Sequence, residues 1–566
     1  MMSYSMILST FLALVAGPTP AAAKGFLKAN HAKVNASGFD SEIQTAMGEA
    51  MGCGGEMPQE RLLAIEKDLI PVWQALPKNS YGRIERRSLR YIAHRYFTQK
   101  SSVWIRGFEP TRPVNHTAWG RDDILSQRVP AFVESVLESG HAQVKGFDLQ
   151  EAARMVATLE QLVFDSEGAM LEMVYHNQHK PTSRSLGGAG IHQVLEEYMV
   201  RWMMGDDQES INVLLDDKKV LEENVPHWEK IVQFVHGEVT ALDFRRKRVP
   251  VELSRPGHNA LSPYFSFEDA HRIVGHITGS FASFWQSECA DMKASLAEMD
   301  PHNTGRVPLS KFYSSALETE WRFGESESYL RDLGALDETS SRGKQVIIAN
   351  YIQGASNCII SASHYLVCCA SECEAMLGEI ERAIGSPLAL PNDILPLVGN
   401  MTSQSTVDHD DPAQLQGALT AQLEQIAAMH GGKVPLHGRL FSQWLHYAFP
   451  HECVFPHMTG TASTSTPLEY GDSYVASKEE MKMHARSKDT FIDAKIDKEE
   501  FQWMSQWSEE EELIGNYAEL QGSVLSKHLL TISGAAILVL GLLGVVSLRR
   551  GGVAAEPSLD GKTHFV

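Results

Sequence analysis

The feature that most constrains this chain is an uncharged apolar run near its C-terminus, residues 529–548, with the sequence LLTISGAAILVLGLLGVVSL. At a helical rise of about 1.5 Å per residue, the run spans roughly the 30 Å of a bilayer core. Arg549 and Arg550 follow it directly, whereas only Lys527 lies close on the other side. Because cytosolic flanks carry the excess of Lys and Arg, the run predicts a transmembrane helix with a cytosolic C-terminus.

The N-terminus predicts a secretory signal. An apolar run at residues 7–16 is followed by a Gly-Pro pair and then by three alanines at 21–23. This order of apolar core, helix breaker and small-residue cleavage site is typical of a signal peptide, although no Lys or Arg precedes Lys24. The two apolar segments together predict a single-pass type I protein, integral to the plasma membrane or an endomembrane. Residues 24–528 would then be luminal or extracellular.

Charge, sequons and cysteine placement agree with that topology. The chain has 71 acidic against 50 basic residues and a formal charge of −21, which repels phosphate backbones and argues against nucleic acid as a partner. Glycosylation sequons begin at Asn35, Asn115 and Asn400. All seven cysteines lie in the predicted ectodomain, where an oxidising compartment allows up to three disulfides of open connectivity. The adjacent Cys368 and Cys369 are not expected to bond to each other.

Apolar residues recur at helical spacing through most of the predicted ectodomain, and alternating strand-like runs are scarce. The fold class is therefore predicted to be mostly α. A chain of 566 residues is too long for one core, so a multi-domain helical ectodomain is expected. Residues 267–299, 312–333 and 346–384, the last interrupted at Gly354, are among the predicted helices.

The most informative local pattern is the segment 489–501, DTFIDAKIDKEEF. A calcium loop of twelve residues supplies oxygens from positions 1, 3, 5, 7, 9 and 12 and has glycine at position 6. The candidate ligands here are Asp489, Asp493, the carbonyl of Lys495, Asp497 and Glu500. The segment resembles an EF-hand loop of the calmodulin superfamily, which implies calcium as the cofactor. It departs from the family pattern at Phe491, position 3, and at Ala494, position 6.

A second segment, residues 300–312, keeps other parts of the EF-hand pattern. Asp300 stands at position 1, Gly305 at position 6 and an apolar residue at position 8, but His302 and Lys311 replace the ligands at positions 3 and 12. We interpret it as a degenerate EF-hand kept as a structural element, the alternative being a plain glycine turn between helices.

Residues 77–89 repeat part of the degenerate loop. The tripeptide 82–84, Gly-Arg-Ile, matches 305–307, Gly-Arg-Val, and Leu89 matches Phe312. No acidic residue stands at positions 1, 3 or 5. A distant relationship and a coincidence of turn sequence both remain open.

A separate candidate metal site consists of His437, His446, His451, Cys453 and His457. Imidazole and thiolate ligands suit zinc or copper, but the spacing matches no established motif. Cys453 could instead form a disulfide, and the histidines could be ordinary surface residues. The chain has no GxSxG, HExxH, P-loop, GxGxxG or kinase signature, so an enzyme is not the first expectation and no catalytic residue is assigned.

These patterns predict a non-enzymatic, EF-hand-containing membrane glycoprotein with a binding or scaffold role and unspecified protein partners. The alternatives are a secretory-pathway metal-dependent hydrolase that uses the His437–His457 stretch, and an inert structural or adhesion ectodomain. The predicted segments are a signal peptide (1–23), an N-terminal helical domain (24–247), a linker (248–263), a helical domain with the degenerate loop (264–390), a helical segment with the His/Cys-rich stretch (391–470), an EF-hand-like membrane-proximal segment (471–528), the transmembrane helix (529–548) and a cytosolic tail (549–566).

Overall fold

The structure, a computed structural model, describes residues 59–109, 146–248, 264–401 and 417–486, apart from 206, 226, 320–321, 341–342, 363–364 and 459. This part of the chain is mostly helical, as predicted. The predicted signal peptide, the candidate calcium loop 489–501, the apolar run 529–548 and the tail lie outside the described residues. None of the described helices is both long and apolar enough to cross a membrane.

The helices of the described residues are α1 Gln59–Ala75, α2 Arg86–Ser101, α3 Leu149–Asn177, α4 Gly188–Met204, α5 Gln208–Asp216, α6 Lys218–Asn224, α7 Trp228–Arg248, α8 Phe267–Glu298, α9 Leu309–Thr319, α10 Glu327–Asp332, α11 Ile348–Ile352, α12 Glu372–Ile384, α13 Pro391–Gly399, α14 Ala418–Met429, α15 Arg439–Ala448, α16 Pro467–Tyr470 and α17 Lys478–Ala485. The strands are β1 Val103–Ile105, β2 Leu186–Gly187, β3 Tyr264–Phe265, β4 Arg306–Pro308, β5 Leu336–Asp337, β6 Gln345–Ile347, β7 Ile359–Ala362, β8 Tyr365–Val367, β9 Leu388–Ala389 and β10 Val434–Pro435.

Short antiparallel contacts between loops organise these helices into four pairs of helix–loop–helix units. The first pair is joined by a bridge between Ile84 and Phe147. In the second pair β2 contacts β3, in the third β4 contacts β6, and in the fourth β9 contacts β10. In each unit the contact lies in the segment that leads into a helix, and residues 110–145, which precede the Phe147 segment, lie outside the described residues.

The register of the first three pairs is the same. The facing residues are Ile84 with Phe147, Leu186 with Phe265, and Val307 with Val346. Each of these six apolar residues lies two positions before the first residue of its own following helix. In the fourth pair only the β9 unit keeps this spacing, because α15 begins five residues after Val434.

Three hydrophobic cores stabilise the molecule. The first contains apolar residues from Ile65 to Ala282 together with Tyr365 and Val367, the second lies mainly between Cys289 and Cys369, and the third between Met376 and Cys453. Helix α8 contributes to the first two cores because its 32 residues extend roughly 48 Å. The first core therefore continues beyond the predicted linker 248–263, and the third begins before residue 391.

The prediction of helix for residues 346–384 is wrong in part. Residues 346–384 do not form a single helix: β6, the short helix α11 and the hairpin of β7 and β8 precede α12. The hairpin strands contain β-branched and aromatic residues, and the disulfide between Cys358 and Cys368 links the residues that flank the hairpin. The prediction for 312–333 also combined two helices, α9 and α10.

Candidate functional site

The degenerate loop 300–311 connects α8 to α9 and carries β4. Gly305 has a φ of +72°, and a Cβ at this position would clash with the backbone of Pro450, so glycine is required by both conformation and space. Val307 and Phe312 are fully buried in the second core. The helix–loop–helix shape predicted from the sequence is present here.

Within this loop, Asp300 is held by protein groups. Its Oδ2 accepts hydrogen bonds from the backbone N–H of Gly305 at 2.7 Å and from His451 Nε2 at 3.0 Å, and its Oδ1 accepts one from Thr304 Oγ1 at 2.9 Å. Burial alone would raise the pKa of Asp300, but the hydrogen bonds and the charge of His451 outweigh it and hold the pKa below its ordinary value. The His451 imidazole is thus a hydrogen-bond partner of the buried carboxylate.

The other ligand positions of this loop do not fit calcium. Position 12 is Lys311, whose ammonium donates to the carbonyl of Met299 at 3.2 Å. Position 3 is His302, which supplies no oxygen ligand. Position 7 would supply its backbone carbonyl, and the guanidinium of that residue, Arg306, forms an ion pair with Asp337 at 2.9 Å. Calcium sites of this class need a bidentate acid at position 12, so the side chains at positions 3 and 12 do not match such a site.

The loop 77–88 has the same shape as the degenerate loop. Gly82 has a φ of +74°, and Asn79 Oδ1 accepts hydrogen bonds from the backbone N–H groups of Tyr81 and Arg83 at 3.0 and 3.2 Å. Ile84 then exchanges two backbone hydrogen bonds with Phe147, of 2.9 and 2.8 Å. The sequence similarity to 300–312 is therefore matched by a similar structure.

The unit that faces this loop, which ends with α3, was not identified from the sequence. Asp148 caps α3 and forms a capping box with Glu151. Gly146 has a φ of +89°, and a Cβ there would clash with the carbonyl of Ile84, so conformation and space both require glycine. A glycine followed by an apolar residue and a capping box is a signal that could have revealed it.

The five residues of the candidate zinc or copper site do not converge. His437 Nε2 lies 2.8 Å from Glu381 Oε1, and His451 bonds to Asp300. Cys453 forms a disulfide with Cys373. Within the described ranges, no three His, Cys, Asp or Glu side chains are grouped as a metal ion would require.

The two remaining histidines of that stretch have backbone and arginine partners. His446 is fully buried, with Nδ1 2.7 Å from the carbonyl of Cys453 and Nε2 3.1 Å from Arg306 Nη1. Burial and the charge of Arg306 lower the pKa of His446 to about 3, so the ring is a neutral donor and acceptor. His457 Nε2 lies 2.6 Å from the carbonyl of Gly334, and burial lowers its pKa.

The described residues contain three disulfides. They link Cys289 with Cys369, Cys358 with Cys368, and Cys373 with Cys453. The adjacent residues Cys368 and Cys369 thus have different partners, as expected. The seventh cysteine, Cys53, lies outside the described residues.

Two buried ion networks connect the cores. Arg95 of α2 donates to Glu381 of α12 at 3.0 Å, and Glu381 also contacts His437, which joins the first and third cores. Lys293 of α8 donates to Glu372 at 2.9 Å and to Glu452 at 3.0 Å. The Lys293 network lines a cavity of about 10 Å³, which is roughly the space of one water molecule and too small for an organic substrate.

No protein-family model, no curated protein and no solved structure matches this chain.

Proposed function

We propose that this protein is a membrane-anchored, non-enzymatic binding or scaffold protein built from paired EF-hand-like units. In the described part of the chain the units are structural, and protein cations take the place of calcium. Calcium binding is confined in this proposal to the loop of Asp489, Asp493, Lys495, Asp497 and Glu500.

The observation that carries the proposal is the common register of the first three pairs. In a twelve-residue loop whose last three residues begin the exiting helix, the residue two positions before that helix is the eighth. Ile84 and Val307 are eighth residues in this sense, and they face Phe147 and Val346, each of which also lies two positions before a helix. Three pairs with one register support a repeated helix–loop–helix design more strongly than the loop sequences alone.

The position of α17 supports a link between the calcium loop and the paired units. This helix ends at Ala485, four residues before Asp489, and its Met481 is buried in the second core. His484 Nε2 of α17 lies 3.1 Å from Glu327 Oε2. A calcium ion at 489–500 would therefore bind directly beyond a helix that is fixed to the third pair.

The disulfides support an ectodomain. Bonds of this kind form and persist in the secretory pathway and outside the cell, and are rare in the cytosol. Six of the seven cysteines are paired in the described residues. This pairing agrees with a type I topology in which residues 24–528 are luminal or extracellular.

Isothermal titration of the full chain in detergent tests the calcium proposal. The wild type is expected to bind one calcium ion with a Kd of about 10⁻⁴–10⁻³ M, as extracellular modules do. Asp489→Ala and Glu500→Gln should abolish this binding because each removes a ligand. Asp300→Asn is the matched control and should leave the stoichiometry unchanged. Equal heats of calcium addition in all four proteins, of the size that salt dilution gives, would contradict the proposal.

Metal analysis of the purified protein separates the proposal from its alternatives. Stoichiometric zinc or copper would favour the metal-dependent hydrolase, although no observation in the described residues points to that function. Absence of both transition metal and calcium binding would favour an inert structural or adhesion ectodomain.

A further inference from the structure

The first pair contains a cluster of oxygens around one arginine. Arg83, at position 7 of the loop 77–88, donates from Nη1 to the carbonyl of Gly146 at 3.1 Å and from Nη2 to Asp148 Oδ2 at 3.1 Å. Its Nη1 also lies 3.7 Å from Glu151 Oε2. The guanidinium thus contacts three oxygens of the opposite unit, and the Glu151 side chain is only 8% exposed.

The strand register shows what these oxygens correspond to. Because Phe147 faces Ile84, it is the eighth residue of its loop, which places Gly146 at position 7, Asp148 at position 9 and Glu151 at position 12. These positions supply a backbone carbonyl, a side-chain oxygen and the bidentate acid in a calcium loop. Positions 1, 3 and 5 would be Gly140, Ala142 and Val144, which carry no side-chain ligand.

Capping of α3 does not account for the whole cluster. Asp148 Oδ1 accepts the backbone N–H of Glu151 at 3.0 Å, and Glu151 Oε2 accepts that of Asp148 at 2.8 Å. Asp148 Oδ2 and the carbonyl of Gly146 have no role in that box, yet both accept from the guanidinium. A carbonyl and two carboxylates are the kinds of oxygen that a hard cation binds, and such an ion would take its remaining ligands from water.

We propose that Gly146 O, Asp148 and Glu151 form a cation site that is permanently filled by the guanidinium of Arg83. Removal of this side chain would open the site to a divalent hard cation such as calcium. Because arginine does not lose its proton in proteins, the first pair stays closed whatever the calcium concentration. This inference does not rest on calcium binding at Asp489–Glu500.

Thermal unfolding of the full chain tests the inference. All proteins carry Glu500→Gln, so that the loop 489–500 contributes no calcium response. Arg83→Ala and the milder Arg83→Gln are compared with Arg61→Ala, the matched control. Arg61 pairs with Glu160 and so joins α1 to α3 by the same type of charge, and its other hydrogen bond goes to the hydroxyl of Tyr96 and not to a carbonyl.

In about 10 mM calcium chloride, against sodium chloride of equal ionic strength, Tm is expected to rise by about 3 °C in the two Arg83 variants. It should not change in Arg61→Ala or in Arg83→Ala combined with Glu151→Gln. An equal calcium response in the Arg83 and Arg61 variants, or none in either, would overturn the inference. If neither Arg83 variant folds without calcium, recovery of folded protein in calcium supports it and failure to recover overturns it.

Discussion

The first and third pairs each contain acidic side chains that bond to a side chain from elsewhere, and the source of that side chain differs between the two pairs. In the first pair, acids near the start of α3 are neutralised by Arg83, which comes from the facing loop. In the third pair, Asp300 at the start of the loop is hydrogen-bonded to His451, which comes from the turn after α15. One partner lies inside its pair and the other is supplied by a distant part of the chain.

The comparison shows that the strand register is the same for two different sets of loop residues. The facing residues have the same register in both pairs, although the loops differ in their acids and in the side chains that bond to them. Burial also differs, since the side chain of Asp300 is 3% exposed whereas that of Asp148 is 43% exposed. The third pair should therefore be the more sensitive to loss of its acid.

The largest effect is expected for Asp300→Ala. This change leaves His451 and the N–H of Gly305 buried without their acceptor, which should lower the free energy of unfolding by about 3 kcal/mol. Chemical denaturation of the variant and the wild type measures the difference. Asp291→Ala, an exposed site on α8, is the control and should change stability by less than about 0.5 kcal/mol. A cost below about 1 kcal/mol at Asp300 would contradict the comparison.

The next effect concerns pH and His446, which packs beside Arg306 of the third pair. Its folded pKa of about 3 lies below the ordinary value of about 6.5, so its contribution to stability is complete above pH 6.5 and is lost as the pH falls towards 3. At pH 5 the loss amounts to about 2 kcal/mol.

Denaturant unfolding at pH 7 and pH 5 measures this loss, and His446→Gln should remove it from the pH dependence. Replacement of His302, an exposed histidine of the loop 300–311, is the control and should leave the pH dependence as in the wild type. An unchanged pH dependence in His446→Gln would show that the neutral imidazole is not required.

A smaller effect is expected in the first pair. Asp148→Ala removes the cap of α3 and the partially exposed ion pair with Arg83, so the free energy of unfolding should fall by about 1 kcal/mol. Asp148→Asn keeps a capping side chain and should recover most of the loss. If Asp148→Ala cost as much as Asp300→Ala, the difference in burial between the pairs would have no energetic consequence.

The smallest effect is expected at Lys311. This exposed side chain donates to the Met299 carbonyl, so Lys311→Ala should change stability by less than about 0.5 kcal/mol. Lys311→Glu restores an acid at position 12, yet calorimetry should detect no new calcium site because His451 still holds Asp300. New calcium binding in Lys311→Glu would show that calcium displaces His451 from Asp300.

Some of this organisation could be predicted from the sequence and some could not. Gly305 and Gly82 were identified as turn residues because few other residues adopt a positive φ, and both have it. The helix–loop–helix shape of 300–312 followed from the same local pattern. The unit ending in α3 was missed because its pairing with Ile84 joins residues far apart in the chain. The hairpin of β7 and β8 was missed because its short strands lie in an otherwise helical apolar pattern.

For the candidate zinc or copper site, the sequence supplied the residues but could not predict their partners. The sequence brought His437, His446, His451, Cys453 and His457 together as one cluster because they are close along the chain. The structure gives them different partners, since buried polar groups bond to whichever donors and acceptors the fold brings near. Proximity in sequence was a poor guide to proximity in space for this stretch.

The sequence by itself determined the helical character of the chain, the turns at its glycines and the acids available at loop starts, because these depend on local backbone preferences and residue chemistry. Only the tertiary structure decided which loops pair and which side chain bonds to each acid. Arg83 and Glu151, like Asp300 and His451, meet across long separations in the chain, and such meetings depend on packing of the helices. The electrostatic partner of an acid is a property of the assembled cores, and no local pattern contains it.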